Sequence, residues 1–228
     1  MSDRTAVLTG VTGGWGRAVL DTFLERGWNV VATHRGGDTA PELPAGAVAV
    51  AADLADQAHA DAAVAAALDR FGSVEALANI AGGFAMGAPI EEMAVVDFQA
   101  QMAVNFQTAF NMTRAVLRPM KAAGRGSIVY IGTSAATTPF PNASGYVLSK
   151  IALRGLMQVV DVEVRKLGIR ANELVVRIVD TPRNRAENPD ADFSRWTTGP
   201  QLAEVVEWLC SDASAPLSGG SIPAYGRA

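Results

Sequence analysis

Short apolar runs alternate along the chain with longer stretches in which apolar residues recur every three to four positions. Ala6-Val7-Leu8 reads as a strand and residues 15–26 as an amphipathic helix. Val30-Val31-Ala32 is a second strand, followed by a Gly/Pro-rich stretch over 36–44, and Val48-Ala49-Val50 a third. An alanine-rich helix over 56–71 leads into a fourth strand, Ala76-Leu77-Ala78. Helical periodicity over 96–123 is long enough for one long helix or two joined. Ile128-Val129-Tyr130-Ile131 is a fifth strand, and a helix containing Tyr146 runs to about Leu167. Leu174-Val175-Val176 is a sixth strand; a polar, Pro-containing stretch over 181–200 precedes a last helix at 201–210. Ser221-Ile222-Pro223 makes a seventh strand of edge type, where proline is tolerated.

Strands alternating with helices predict a parallel sheet covered on both faces, and right-handed crossovers make it doubly wound. The expected architecture is a Rossmann-like α/β fold of about seven strands. One domain over residues 1–228 is expected, because no repeat, low-complexity tract or linker interrupts the pattern. At 49% hydrophobic, the chain has material for a sizeable core.

Charge and composition then narrow the function. A net charge of -4 with no basic run argues against nucleic acid as the main partner. No apolar run reaches membrane-spanning length and no signal-peptide pattern opens the chain, so no membrane partner is expected. Cys210 is the only cysteine, which fits a reducing cytoplasm, and with only His34 and His59 no metal-ligand spacing exists.

Two features carry chemistry. Thr9-Gly10-Val11-Thr12-Gly13-Gly14-Trp15-Gly16 lies between the first strand and the first helix. Glycines there allow a tight turn and close backbone approach to a pyrophosphate, while the helix start offers N–H groups and partial positive charge. Gly10, Gly14 and Gly16 therefore predict a dinucleotide site. Tyr146 and Lys150 are four residues apart, which puts a phenol and an ammonium on one helix face. Only three lysines occur (Lys121, Lys150 and Lys166), so Lys150 is a poor candidate for surface filler. An adjacent cation is expected to lower the phenol's pKa and make it a usable general acid or base.

With Tyr-x-x-x-Lys about 130 residues after Thr-Gly-x-x-x-Gly-x-Gly, the chain resembles the short-chain dehydrogenase/reductase family. Asp53-Leu54, Asn79-Ile80-Ala81-Gly82 and Asn105 fall in order between the two motifs, so the resemblance spans nearly the whole chain. It implies that Asp53 contacts the adenine, that Asn79, Ala81 and Gly82 support the cofactor site, and that Lys150 holds the nicotinamide ribose. It also implies that Asn105 organises a water relay to that lysine; a helix asparagine could equally cap or kink the chain. Trp15, Val179 and Thr181 join the cofactor set, Thr181 near the carboxamide. Members of the family are commonly dimers or tetramers, paired through long helices at 96–123 and 146–167.

Three departures shape the expected specificity. The second strand ends His34-Arg35 with no acidic residue, and an arginine suits a 2′-phosphate, so NADP(H) is expected over NAD(H). A solvated loop charge at Arg35, or a ribose contact from Asp38, would weaken that expectation. The family's serine thirteen residues before the tyrosine is replaced by Thr133, with Ser134 beside it as the alternative. Where the family carries Pro-Gly, this chain has Val176 and Arg177, the arginine aimed either at an anionic substrate or at solvent. The segment from Asp180 through Trp196, together with Ala81-Gly82-Gly83-Phe84, is similar to dihydropteridine reductases, and 181–200 is expected to act as a short substrate lid.

The resulting expectation is a reductase of a small carbonyl or C=N substrate, with Tyr146 as proton donor and Thr133, Ser134, Lys150 and Asn105 around it. Reduction of a quinonoid dihydropterin and a non-catalytic dinucleotide sensor are the alternatives. Phe84, Phe140, Phe193 and Trp196 could wall an apolar substrate pocket.

Overall fold

The computed structural model describes residues 4–37, 43–44 and 46–228. Asp38, one of the residues considered at the cofactor ribose, lies outside them. Seven strands form one sheet: β1 (Thr5–Leu8), β2 (Asn29–His34), β3 (Ala47–Ala51), β4 (Ala76–Asn79), β5 (Gly126–Thr133), β6 (Ile169–Val176) and an edge strand at Ser221–Ala224. Their order is 3-2-1-4-5-6 with the Ser221–Ala224 strand outermost, and every pairing is parallel. The order reverses between β1 and β4, which opens a crevice at the carboxyl ends of those strands.

Strand alternation divides the core into two layers. Val7 faces one side with Ala60, Ala63, Met112 and Leu153. Ala6 and Leu8 face the other, with Val19, Leu20, Phe23, Leu202 and Val206. The first layer belongs to α2 (Gln57–Phe71) and to the two helices on either side of β5: α4 (Thr108–Ala123) and α5 (Ser144–Val164). The second belongs to α1 (Gly16–Glu25) and the last helix, Gly199–Cys210. Each fully buried Leu or Phe in these layers contributes roughly 1.5–3 kcal/mol of burial free energy.

The helical stretch over 96–123 is two helices joined, and the joint has a local cause. After α3 (Val95–Met102), residues Ala103–Gln107 form a π-turn before α4 begins. The Thr108 amide reaches back five residues to the Ala103 carbonyl, and the Thr108 hydroxyl takes the Val104 carbonyl at 2.9 Å. One extra residue is thereby absorbed, and it brings Asn105 into the interior.

The stretch over 181–200, read from sequence only as polar, contains further structure. β7 (Val179–Asp180) pairs in parallel with β8 (Thr197–Thr198), enclosing α6 (Pro182–Glu187) and a 3-10 turn at Phe193–Arg195. Two-residue strands carry no periodicity, so nothing in the sequence pattern announced them.

Candidate functional site

Thr9 ends β1 by stapling it to the neighbouring strand's exit. Its hydroxyl donates to the Ala78 carbonyl (3.3 Å) and accepts from the amides of Ile80 and Ala81 (3.0 Å each). This fixes the two lips of the crevice against each other. Gly10 sits at φ +70°, and a Cβ there would lie 2.8 Å from the Ala81 backbone. At Gly16 a Cβ would stand 2.1 Å from the Gly10 carbonyl oxygen, so only glycine lets the helix start so close to the turn. No side chain caps α1 and its first turn holds no acid, which leaves the positive end of the helix open to an anion.

A groove of about 800 Å³ runs across these elements. Gly10, Gly14, Trp15 and Gly16 line it, together with His34 at the end of β2 and Arg35 just past it, Asp53 and Leu54 after β3, and Ala81 and Gly82 after β4. One groove thus gathers ten of the residues picked for the cofactor. Thr9 lies behind the wall, as the staple. Asn79 is buried just before the wall residues Ile80 to Gly82, and neither of its amide atoms has a hydrogen-bond partner. Unpaired buried amide atoms are costly, and a bound polar ligand would satisfy them. Thr181 reaches the groove from the other side: its methyl carbon lies 3.1 Å from where a Gly14 Cβ would project, while its hydroxyl caps α6 at the Asn184 amide. Val179, two residues earlier, is buried in β7.

Asp53 and His34 are engaged locally. The Asp53 carboxylate accepts from the Ala55 amide (3.1 Å), and His34 Nδ1 is 3.2 Å from the Arg35 carbonyl. Arg35 is exposed on the wall.

At Gly82, on the wall of the groove, the second motif comes close. A Cβ on Gly82 would be 3.0 Å from Asn105 Oδ1 and 3.4 Å from Lys150 Nζ. Asn105 is pinned by both halves of its amide to the backbone of Gly83, at 3.0 Å each way. Its amide therefore braces the loop after β4, through a Gly83 partner that no side-chain motif could have revealed. The Lys150 ammonium is buried and donates to the Ile131 carbonyl at 2.8 Å. Burial pushes its pKa down to about 8, against an opposing pull from the Glu173 carboxylate.

Tyr146 corrects one expectation. Its pKa is raised rather than lowered, because burial of the phenol outweighs a hydrogen bond from Thr133. One of the three Lys150 ammonium donors goes to the Ile131 carbonyl, and burial rather than this cation governs the phenol. The Thr133 hydroxyl, not that of Ser134, is the one that reaches Tyr146; it also accepts from the Ala135 amide at 3.3 Å. Ser134 begins the 3-10 turn after β5, its carbonyl taken by the amides of Thr137 and Thr138.

The aromatic residues separate into two groups. Phe84 packs edge-on against Tyr146 (centroids 5.0 Å apart, planes at 86°) and lies 6.3 Å from Phe140. Phe193 instead pairs with buried Trp196 at 4.9 Å, beneath the Arg185 guanidinium. Arg185 is forked onto Asp180. Arg177 donates to the Ala228 carbonyl at 3.1 Å and so clasps the last residue. Cys210 is buried, its thiol pushed up in pKa, and no group of side chains able to hold a metal occurs among the described residues.

A family model for the short chain dehydrogenases matches residues 4–192. The chain belongs to the short-chain dehydrogenase family. It is 31% identical to a 2-(R)-hydroxypropyl-CoM dehydrogenase of Xanthobacter autotrophicus, over 96% of both chains. It is 29% identical to a D-threitol dehydrogenase of Mycolicibacterium smegmatis, over 97% of this chain and 91% of the relative. The fold superposes on a gluconate 5-dehydrogenase from Burkholderia cenocepacia with a TM-score of 0.89 at 29% identity, covering 99% and 95% of the two chains. This short-chain dehydrogenase is thus an NAD(P)-dependent oxidoreductase, and its glycine cradle, open helix start and unpaired Asn79 amide fit that cofactor. The resemblance of 180–196 to dihydropteridine reductases gains no support from these relatives. No helix among the described residues is long and apolar enough to cross a membrane.

Proposed function

We propose that this short-chain dehydrogenase is an NADP(H)-preferring reductase of small carbonyl or C=N substrates, with Tyr146 as proton donor. The observation that carries the reading is at Gly82, a wall residue of the groove that lies beside the Lys150 ammonium. The nicotinamide, when bound, supplies the hydride; the protein must position the substrate and deliver a proton. A phenol with a raised pKa is protonated at neutral pH, the form needed to donate. Thr133, bonded to that phenol, would polarise the substrate oxygen. Lys150 would hold the cofactor ribose, and Asn105 keeps the loop over both in register through Gly83.

Phe84 and Phe140 give the phenol an apolar flank, which favours a substrate with an apolar side. The segment over 181–200 would close over it, hinged at the β7–β8 pair. The hydroxypropyl compound in one relative's name is the alcohol counterpart of such a carbonyl.

Preference for NADP(H) is supported by exposed Arg35 on the wall after β2, where the sequence has His34-Arg35 and no acidic residue ends the strand. The Burkholderia neighbour was solved in complex with NADP and tartrate. Association into a dimer or tetramer would cover Val95 and Val96 on α3 and Val159 and Val162 on α5. All four are more than half exposed, whereas Val160 and Val164 turn into the core.

The test is oxidation of NADPH and NADH against a panel of aldehydes, ketones, cyclic imines and a quinonoid dihydropterin. Higher kcat/KM with NADPH on carbonyls or imines supports the proposal. Turnover of the pterin alone would establish the pterin reading, and cofactor binding without turnover of anything would establish a sensor.

A further inference from the structure

A charged cluster lies beneath Lys150. Tyr146, Lys150 and Arg154 form one stripe on α5, each one turn from the next. Across from that stripe, β6 presents Glu173, whose side chain is fully buried. Its Oε2 accepts from Arg154 Nε at 2.8 Å and from the Ser221 hydroxyl at 2.6 Å. Arg154 also donates to the Thr137 hydroxyl at 3.0 Å.

The other oxygen, Oε1, is buried with no hydrogen-bond partner. It fits only because β5 carries Gly132, where a Cβ would stand 1.8 Å from Oε1. A glycine slot made for a carboxylate, with one oxygen left unpaired, is an expensive way to fasten a helix to a sheet. Arg154 and Ser221 account for Oε2 alone.

The charged and titratable groups on the elements around Lys150 are few. Tyr146 and Arg154 flank it on α5, which further along carries buried Asp161 and exposed Glu163. From β6, Glu173 sets Oε1 against Gly132, the neighbour of the Ile131 whose carbonyl holds Lys150, while Arg170 is engaged by the Leu209, Ser211 and Ser214 carbonyls. β5 carries Tyr130, whose phenol is bonded to Thr113. On α3 and α4 the ionisable residues (Asp97, Arg114, Arg118 and Lys121) are exposed, and the π-turn contributes only the uncharged Asn105. Of the two buried carboxylates that α5 and β6 carry among the described residues, Asp161 is taken up by Ser218 and Arg165, and Glu173 is the one that keeps an unpaired oxygen.

We propose that Glu173 is a positioning residue for the reaction: lodged in the Gly132 slot, its carboxylate supplies the counter-charge that keeps Lys150 an ammonium under the nicotinamide site. Arg154 sets the strength of that charge by taking one oxygen and leaving the other. The inference rests on the assignment of Lys150 to the cofactor ribose.

With three lysines in the chain, the protein labelled at lysine 13Cε gives three titrating signals, and Lys150 is identified by its loss in Lys150→Met. In the wild type its midpoint is expected at about 8. The isosteric Glu173→Gln removes the counter-charge and lowers that midpoint by about one unit or more. Arg154→Met leaves the carboxylate uncompensated and raises it. The high-pH limb of kcat/KM moves in the same direction in each variant. A mere clasp between α5 and β6 would be loosened alike by both substitutions, so shifts of the same sign, or none, overturn the proposal. Should Glu173→Gln not fold, Arg154→Met decides alone: a raised midpoint supports the proposal and an unmoved one overturns it. Full turnover in Lys150→Met would overturn the reading of Lys150 itself, in a separate variant and a separate readout.

Discussion

Thr133, the last residue of β5, is the side chain that pulls the Tyr146 phenol towards ionisation, across a loop of ten residues that leads into the first turn of α5. Its hydroxyl favours the phenolate, opposing the burial that favours the phenol, and so acts on the same oxygen that would donate to a carbonyl. Thr133→Ala is therefore expected to lower kcat/KM by about 10²- to 10³-fold, the cost of removing one donor of this kind. Thr133→Ser keeps the hydroxyl and should retain most activity. Ser134→Ala should stay near wild type; a loss there as large as in Thr133→Ala would reassign the role.

This point was half legible in the sequence. Counting back from Tyr146 reaches Thr133, but the length of the intervening loop left Ser134 open until the strand end and the 3-10 turn were placed. The strands and helices were readable because apolar periodicity reflects burial on one face or two, as in the alternation of Val7 with Ala6 and Leu8. The break at Asn105 was not, because a π-turn depends on Thr108 taking two successive carbonyls, which leaves the periodicity almost unchanged. Nor was the direction of the Tyr146 shift, since spacing gives the proximity of Lys150 but not how deeply both are buried. Glu173 was invisible because a lone glutamate in an apolar strand has no motif; only Gly132, one strand away, explains how it fits.

Arg35 sets cofactor choice in this account. Arg35→Ala should raise KM for NADPH by about tenfold or more, the worth of a charge-assisted bond to phosphate, and leave KM for NADH little changed. Equal effects on both cofactors would mean that the arginine is only a solvated charge.

Burial of Lys150 gives a pH-dependent stability with a defined sign. Its pKa is about 8 in the folded protein against an ordinary 10.5, so between those values the unfolded chain binds more protons. The cost of burying the charge is fully present below pH 8 and is relieved as pH rises towards 10.5. Urea unfolding of the wild type and Lys150→Met should show the methionine variant's relative advantage larger at pH 7 than at pH 10. A difference independent of pH would mean that the lysine titrates as a solvated group.

The central claim is that Tyr146 delivers the proton beside a dinucleotide groove. Tyr146→Phe tests it most directly, with NADPH oxidation on the best carbonyl substrate measured beside NADPH affinity by fluorescence titration. Turnover is expected to fall by about 10²-fold or more while affinity stays close to wild type. Turnover that survives the substitution with affinity unchanged would contradict it.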